Sequence, residues 1–262
     1  MAWFFIDNEV QKDRYTIDGE NARHISKSLR MKVGEQLTLV TPSQEQLTCT
    51  ISGISGETVD VAVGERKQCE NEPDVETTLY QALPKGDKFE YIIQKCVELG
   101  VTKIVPVISS RCISRPDGKS LAKKQVRWQK IAREAAQQSR RGIIPEVADC
   151  ISFKQAVQQS SENALNIIFY ELGGENVGKL LEKGAKSIGI FIGSEGGFEQ
   201  SEVDLILESG GFAATLGRRI LRAETAPLAA LSILMYATGN FDSDVKTTKE
   251  FQNDWNNMRD GG

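Results

Sequence analysis

The stretch SIGIFIGSEGGFEQSEVDLIL, residues 187–207, joins an apolar run of strand length to a helical pattern through a glycine-rich loop. The run is apolar at nearly every position, which is typical of a strand covered on both faces of a parallel sheet. The residues from Gln200 onward have the periodicity of a helix that ends at Gly210. Because ligands bind at the carboxyl ends of strands in such sheets, we expect a site at the loop, residues 193–197.

This loop contains Glu195 and no lysine, unlike the phosphate-binding loops that follow strands in nucleotide-binding proteins. Gly193, Gly196 and Gly197 permit close approach of the backbone to a ligand. A carboxylate beside a phosphate is repelled, so the loop disfavours a nucleoside triphosphate. Glu195 is compatible with a ribose diol, a cationic ligand or a role in holding the loop, and a tight turn with a solvent-facing acid explains the same residues.

A second connection between a strand and a helix follows, with the sequence TLGRRILRAETAPLAAL at residues 215–231. Pro227 is predicted to start the helix and Thr225 to cap it, with the backbone N–H groups there pointing outward. Arg218, Arg219 and Arg222 require either an anion or acidic side chains in surface ion pairs. Two such loops at neighbouring strand ends predict one pocket.

Strands and helices alternate over residues 73–240. The predicted strands are 77–83, 103–108, 165–171, 187–193 and 211–216. The predicted helices are KFEYIIQKCVEL, a basic helix within residues 111–141, NVGKLLEKG, QSEVDLILES and PLAALSILMYAT. This alternation predicts the α/β class, with a mostly parallel sheet covered on both sides.

Residues 1–72 have a different pattern. The alternating runs QLTLVT, QLTCTISGI and TVDVAVGE are separated by turn signals, which predicts a small antiparallel barrel or sheet with one helix near His24. Pro73 marks the linker to the second domain, residues 73–240. Residues 241–262 form a polar tail that we expect to be partly disordered.

The composition excludes several classes of function. The chain has one histidine and five cysteines, with no C-x-x-C pair, so neither serine–histidine hydrolysis nor a metal site is expected. It has no apolar segment long enough to span a membrane, and its first residues lack the pattern of a secretory signal. A cytoplasmic location without membrane contact is therefore expected.

The charge of the chain is unevenly distributed. The net charge is −4, yet residues 111–141 contain ten Lys or Arg and two acidic residues. Lys123, Arg127 and Lys130 share one face of the predicted helix, and Trp128 lies on the opposite, apolar side. The basic face indicates a localised anionic partner such as RNA or phosphate, and a solvated surface helix explains it as well.

Several blocks of this sequence resemble a known family. The blocks IGSEGGF, LGRRILRAETAPLAAL, ALPKGDKFEYIIQKCVELGV, SSRCIS and RWQKIAREAAQQSRR are similar to those of the RsmE family, ribosomal small-subunit RNA methyltransferases that modify N3 of a uridine and belong to the SPOUT superfamily. The resemblance extends over residues 3–240. It implies an amino-terminal PUA-like β-barrel, a carboxyl-terminal parallel sheet with a deep trefoil knot, S-adenosylmethionine as cofactor, and a homodimer acting on 16S ribosomal RNA or the assembled small subunit. The rarity of threaded chains would otherwise predict an unknotted sheet.

The resemblance also implies roles for individual residues. The implied cofactor-binding residues are Tyr170, Glu171, Leu172, Gly193, Glu195, Gly196, Gly197, Leu216, Gly217, Ile220, Leu221, Arg222, Thr225 and Ala226. S-adenosylmethionine has a ribose diol and a sulfonium cation but no phosphate, so a carboxylate in the loop is physically reasonable. Arg222 is the candidate for stabilising negative charge on the uracil, and Glu195 or Glu224 for accepting a proton or positioning Arg222. The implied RNA contacts are Arg30, Arg111, Lys123, Arg127, Lys130, Arg140 and Arg141.

The sequence departs from the family pattern at a few places. Ser194 stands where the family usually has proline, and the segment TPSQEQ lacks a glycine-rich turn that is usual in the barrel. Two other functions stay open: a SPOUT methyltransferase that modifies another RNA position, such as a ribose of tRNA, and a non-catalytic RNA-binding factor in ribosome assembly.

Overall fold

The computed structural model describes residues 1–182 and 184–241. Its amino-terminal strands are β1 (Ala2–Phe5), β2 (Arg14–Ile17), β3 (Gln36–Val40), β4 (Glu45–Ser55) and β5 (Thr58–Gln68). They form a five-stranded sheet with the order β1-β3-β4-β5-β2. Strand β1 runs parallel to β3, and the other pairs are antiparallel.

One face of this sheet carries its own hydrophobic core. Leu47, Cys49 and Ile51 alternate along β4 and are fully buried, because alternate side chains of a strand point to the same face. Helix α1 (Gly19–Arg23) and the π-helical segment that continues it (His24–Ser28) add Ala22 and Ile25 to that core.

The predicted helix near His24 and the predicted strands β3, β4 and β5 are present. Strands β1 and β2 were not predicted. The expected antiparallel pairing is present among β2 to β5, and the exception is β1, which pairs in parallel with β3. Parallel pairing requires a long connection, and residues 6–35 provide it.

The second sheet has seven strands. They are β6 (Glu76–Ala82), β7 (Lys103–Ile108), β8 (Glu146–Val147), β9 (Ile151–Ser152), β10 (Leu165–Phe169), β11 (Ser187–Ile192) and β12 (Phe212–Ala214). The order is β12-β10-β11-β6-β7-β8, with β9 also paired to β7. Every pair is parallel, which confirms the predicted α/β fold with a parallel sheet.

Helices connect these strands. They are α2 (Lys88–Glu98), α3 (Gly118–Gln138), α4 (Phe153–Ser160), α5 (Val177–Leu181), α6 (Gln200–Glu208) and α7 (Ala226–Ala237). Helix α4 was not predicted, although Ser152 and Gln155 form a capping box that is visible in the sequence as S-x-x-Q. The two-residue strands β8 and β9 were also missed, since such short elements have no periodicity to detect.

Strand β11, which precedes the glycine-rich loop, is buried on both faces. Ile188 and Ile190 are 0% exposed and Phe191 and Ile192 are at most 2% exposed. The ring of Phe191 stacks on Tyr80 of the neighbouring β6 at a centroid distance of 4.4 Å. Each such side chain contributes about 1.5–3 kcal/mol to folding, so the loop after β11 starts from a rigid base.

The chain crosses over the end of β12 after it leaves β10. Tyr170 N–H donates to Ala214 O at 2.9 Å, and Glu175 N–H donates to Ala213 O at 2.8 Å. Successive carbonyls of a strand point to opposite edges, so the segment between Tyr170 and Glu175 passes from one edge of β12 to the other. A Cβ on Gly174 would lie 2.5 Å from the Ala213 carbonyl carbon, so only glycine permits this crossing.

Arg141 joins the two parts of the molecule. Its guanidinium is 3% exposed and donates to Glu72 Oε2 and to Val101 O, each at 2.5 Å. Trp3 Nε1–H donates to the Arg141 carbonyl at 3.0 Å. The prediction that Arg141 contacts RNA is therefore wrong: the left-handed conformation of Arg140, at φ 59°, turns the next side chain into the interior.

Candidate active site

The two predicted loops form one pocket at the carboxyl ends of β10, β11 and β12. These strands are neighbours in the sheet, so residues 193–197 after β11 and residues 215–226 after β12 meet there. The pocket has a volume of about 510 Å³. The predicted residues that line it are Tyr170, Glu171, Gly193, Glu195, Gly196, Gly197, Leu216, Gly217, Ile220, Leu221, Arg222 and Ala226.

Two predicted cofactor residues do not line the pocket. Leu172 is 77% exposed. Thr225 has helical backbone angles, and its side chain makes no capping hydrogen bond. The N–H groups of Thr225 and Ala226 both donate to Arg222 O, at 2.9 and 3.0 Å, in place of pointing outward as predicted. A tight turn thus satisfies these two amides, so they are not free to bind a ligand.

The cofactor-binding residues implied by the sequence do not include eight lining residues: Lys88, Phe169, Ile192, Ser194, Thr215, Arg218, Arg219 and Ala223. Ser194, Arg218, Arg219 and Ala223 lie within the two predicted loops, and Phe169, Ile192 and Thr215 adjoin predicted positions along the chain. Lys88 is different, because it reaches the pocket from α2, and no signal in the sequence connects it with either loop.

Close contacts at Gly193 and the backbone conformation of Gly197 favour glycine in the first loop. A Cβ on Gly193 would lie 3.0 Å from Gly197 Cα, and a Cβ on Gly197 would lie 2.7 Å from Glu171 Oε1. Gly197 also has a φ of 66°, which disfavours other residues. Its N–H donates to Ser194 O at 3.0 Å and closes the turn. The loop therefore presents backbone, and few side chains, to the pocket.

Arg111 holds this loop from outside. Its guanidinium donates to Gly196 O at 3.0 Å and to both oxygens of Glu199, at 2.8 and 3.2 Å. These hydrogen bonds raise the pKa of Arg111 and lower that of Glu199. Arg111 was predicted to contact RNA, and its donors are instead occupied by the loop and the start of α6.

A buried carboxylate adds a second support. Glu202, on α6, is 4% exposed. Its oxygens accept from Ser110 N–H at 2.8 Å and from Glu199 N–H at 3.0 Å. Hydrogen bonds of this kind satisfy a buried charge, so the segment after β7 and the start of α6 are fixed together.

Glu195 of the first loop and Glu224 of the second both form an ion pair with Lys88. Lys88 Nζ lies 2.8 Å from Glu195 Oε1 and 3.2 Å from Glu224 Oε2. The first contact is a hydrogen bond, whereas Glu224 Oε2 has no well-directed hydrogen bond. Burial raises the pKa of Glu195, but hydrogen bonds from Lys88 and from backbone amides outweigh it, so the net pKa is lowered. Glu195 is therefore ionised and already paired.

The three arginines of the second loop are exposed. Within residues 1–182 and 184–241, Arg218, Arg219 and Arg222 make no ion pair with an acidic side chain. The expected alternative, surface ion pairs within the chain, does not account for them. Their positive charge is available to an anion at the mouth of the pocket.

The other predicted RNA contacts lie on exposed surface. Arg30, Lys123 and Arg140 are exposed. Arg127 and Lys130 are exposed but paired, with Glu90 at 2.6 Å and with Glu20 at 2.7 Å. The basic face of α3 is therefore partly neutralised by acidic residues of α2 and α1.

In the part of the chain that the structure describes, no group of three or more His, Cys, Asp or Glu is arranged to hold a metal ion. None of the described helices is long and apolar enough to cross a membrane.

Comparison with known proteins gives two family matches. A family model described as RNA methyltransferase domain matches residues 70–235, and one described as RNA methyltransferase PUA domain matches residues 17–64. A relative from Bacillus subtilis, ribosomal RNA small subunit methyltransferase E, is 36% identical over 91% of this chain and 97% of its own length.

Solved structures agree with these matches. A ribosomal RNA small subunit methyltransferase E from Neisseria gonorrhoeae, bound to S-adenosyl methionine, has a TM-score of 0.81 at 31% identity and covers 90% of this chain and 97% of its own. A putative methyltransferase from Legionella pneumophila, in complex with the cofactor SAM, has a TM-score of 0.78 at 30% identity with the same coverage. The predicted family is confirmed, and with it a PUA domain beside the parallel sheet. The chain whose two glycine- and arginine-bearing loops form this pocket belongs to the ribosomal RNA small subunit methyltransferase E family.

Proposed function

We propose that this chain transfers the methyl group of S-adenosylmethionine to N3 of a uridine in 16S ribosomal RNA. The observation that carries the proposal is the single pocket made by residues 193–197 and 215–226, in a member of this methyltransferase family. Its glycine-rich wall, where a close backbone contact at Gly193 and the positive φ of Gly197 disfavour a side chain, suits a ligand held by backbone.

The residues present fit an adenosyl sulfonium. Phe169, Ile192 and Leu216 supply an apolar lining for a nucleobase. Ser194 Oγ is buried without a hydrogen-bond partner, and the carboxylate of Glu171 is exposed beside Gly197. A carboxylate at this position can accept hydrogen bonds from a ribose diol or pair with an ammonium group. These groups, with the backbone of both loops, would hold the cofactor.

When bound, the cofactor supplies an electrophilic methyl group. The protein must present N3 of the uracil, which is on its base-pairing edge, so the substrate has to be unpaired or extruded. The imide loses its proton as N3 attacks, and negative charge develops on the uracil oxygens. Arg222, exposed and unpaired at the pocket, would stabilise that charge. Of Glu195 and Glu224, Glu224 is the better candidate to accept the proton, because one of its carboxylate oxygens has no hydrogen-bond partner.

The test of this proposal is direct. Ribosomal RNA from cells lacking the protein is mapped for modified uridines, and the purified protein is assayed on that RNA with labelled cofactor. We expect one N3-methyluridine to be lost in the cells and restored by the enzyme. Loss of a methyl group from tRNA instead would indicate a different target, and cofactor binding without any lost methylation would indicate a non-catalytic assembly factor.

We propose that residues 1–72 form a PUA-like barrel that contacts RNA and that residues 73–240 form the catalytic domain. Of the predicted tail, residues 241–262, all but the first residue lie outside the described part of the chain.

The deep trefoil knot is supported by the crossing at Gly174, where the chain passes over the end of β12 and thus over the origin of the second loop. The cytoplasmic location expected from the sequence stays a proposal.

We further propose that the chain acts as a homodimer. Helix α7 is apolar on most sides, yet Ile233 and Tyr236 are 36% and 74% exposed. A helix that is hydrophobic all round is normally buried, so a second copy is the expected cover for this face. Sedimentation that shows a monomer at working concentration would contradict this.

The basic face of α3 gives a testable prediction about RNA binding. Reversing the charge of Lys123, Arg127 and Lys130 to glutamate is expected to weaken RNA binding and to make the plot of log affinity against log salt shallower. Each lost phosphate contact removes about 0.7 from the slope for single-stranded RNA. Fluorescence anisotropy with a labelled ribosomal RNA fragment at several salt concentrations measures both.

The matched control replaces three exposed lysines elsewhere, Lys154, Lys179 and Lys186, by glutamate. It changes the net charge equally and should leave the slope near the wild-type value. Identical effects of the two triple variants would mean that the basic face of α3 is only a solvated surface.

A further inference from the structure

Lys88 contacts both pocket loops from an element outside them. It is the first residue of α2, which follows β6, and it lies 107 residues before Glu195 in the sequence. Its Nζ contacts Glu195 of the first loop and Glu224 of the second, at 2.8 and 3.2 Å. Among the residues that the structure describes, no other cation forms ion pairs with both loops.

The backbone next to Lys88 strengthens the contact. Lys85 N–H donates to both carboxylate oxygens of Glu195, at 3.3 Å each. The side chains of Lys88, Glu195 and Glu224 are 34%, 31% and 24% exposed, so all three are partly removed from water. Two carboxylates in this environment repel each other unless a cation lies between them.

We infer that Lys88 is a positioning residue that holds the two loops together in the arrangement that forms the cofactor pocket. Glu195 then serves as the attachment point of the first loop and not as the proton acceptor. This inference deepens the proposed function and rests on it. The hydrogen bond from Lys88 and the lowered pKa of Glu195 agree with it, because a paired and weakly basic carboxylate is a poor proton acceptor.

Among the described residues, no other cation takes the place of Lys88 between these carboxylates. The remaining charged side chains that line the pocket are Glu171, Arg218, Arg219 and Arg222. None of the three arginines contacts Glu195 or Glu224, and Glu171 is itself acidic. Removal of Lys88 therefore leaves two carboxylates without a counter-ion.

The test replaces Lys88 by methionine, which keeps most of the unbranched side chain and removes the charged ammonium group. We expect the dissociation constant for S-adenosylmethionine to rise about 10-fold and kcat/KM to fall about 100-fold near pH 8, as when groups that orient a binding site are removed. Calorimetry and single-turnover methylation measure these. In the ligand-free protein, the amides of residues 193–197 should exchange hydrogen faster than in the wild type.

The dependence on pH separates positioning from a merely structural role. In the Lys88→Met variant, burial raises the pKa of Glu195 without the opposing effect of Lys88, so we expect that pKa to be higher in the closed loops, beside Glu224, than in open loops. Closure is then favoured at pH values below that pKa and is lost as pH rises through it. Cofactor affinity of the variant should therefore recover between about pH 8 and about pH 5, whereas the wild type shows no such gain.

Three further variants complete the experiment. Lys88→Met/Glu195→Gln removes one carboxylate with the cation and should regain cofactor affinity at every pH. The Lys88→Arg variant, which keeps the positive charge, should retain most of the wild-type affinity for the cofactor. Lys95→Met is the matched control, because Lys95 lies on the same helix, is also 34% exposed and pairs with Glu98 at 2.8 Å; it should bind and react like the wild type.

The outcomes are distinguishable. Wild-type affinity and rate in Lys88→Met, or no recovery in the double variant, would overturn the inference while leaving the proposed function intact. A wild-type protein that binds no S-adenosylmethionine would overturn the proposed function itself.

Discussion

Replacement of Arg222 by alanine is expected to lower the turnover number about 100- to 1000-fold, the usual cost of removing a donor that stabilises a developing oxyanion. The guanidinium is exposed at the pocket and makes no ion pair among the described residues. The backbone of Arg222, whose carbonyl accepts from Thr225 and Ala226, is unaffected by the change. Cofactor affinity and thermal stability should therefore stay close to the wild-type values.

Single-turnover methylation, calorimetry with S-adenosylmethionine and a thermal melt measure these three quantities. Arg222→Lys serves as the conservative variant: it keeps the positive charge but not the planar fork of donors, so an intermediate rate is expected. Turnover at the wild-type level in Arg222→Ala would remove this residue from the chemistry. A loss of cofactor affinity that matches the loss of turnover would assign Arg222 to binding instead.

Replacement of Arg141 by methionine is expected to lower the free energy of unfolding by about 3–5 kcal/mol, since it leaves a partner charge uncompensated in the interior. The side chain of Arg141 is 3% exposed and that of Glu72 is 18% exposed, and Arg141 Nη2 lies 2.5 Å from Glu72 Oε2. The same guanidinium also satisfies the carbonyls of Val97 and Val101. Urea titration of the wild type and the variant measures the difference.

Arg127→Met is the matched control for this change. Arg127 also pairs with a glutamate, Glu90, at 2.6 Å, but its side chain is 67% exposed. An exposed pair contributes about 0–1 kcal/mol, so the control should unfold close to the wild-type midpoint. If both variants lose the same free energy, burial of the Arg141 pair adds nothing to its contribution.

Much of the candidate site was predictable because its signals are local. The apolar run ending at Ile192, the glycines after it and the arginines before Pro227 are each contiguous in the sequence. Such patterns specify a strand, a close backbone approach and the start of a helix without reference to the rest of the fold. The position of the loops at the carboxyl ends of parallel strands then follows from a general rule.

Two of the errors, at Arg141 and Arg111, occurred where a side chain's role depends on distant partners. Arg141 continued the basic pattern of α3, but the turn at Arg140 brings it to Glu72, which is 69 residues away. Thr225 has the residue type and spacing of a helix cap. Its backbone angles are nevertheless helical, because the N–H groups of Thr225 and Ala226 donate to Arg222 O in a tight turn. Arg111 looked like a free basic residue, and it binds Glu199, 88 residues away.

The sequence by itself determined the parallel α/β sheet, its longer strands, its helices other than α4, and the two loops that form the pocket, because hydrophobic periodicity and glycine placement are properties of short segments. Only the tertiary structure decided which cationic side chain forms an ion pair with which carboxylate. Lys88 and Glu195 are 107 residues apart, and they meet because β6 lies beside β11 in the sheet. An ion pair acts over a few ångströms, so only the order of the strands brings these residues within its range.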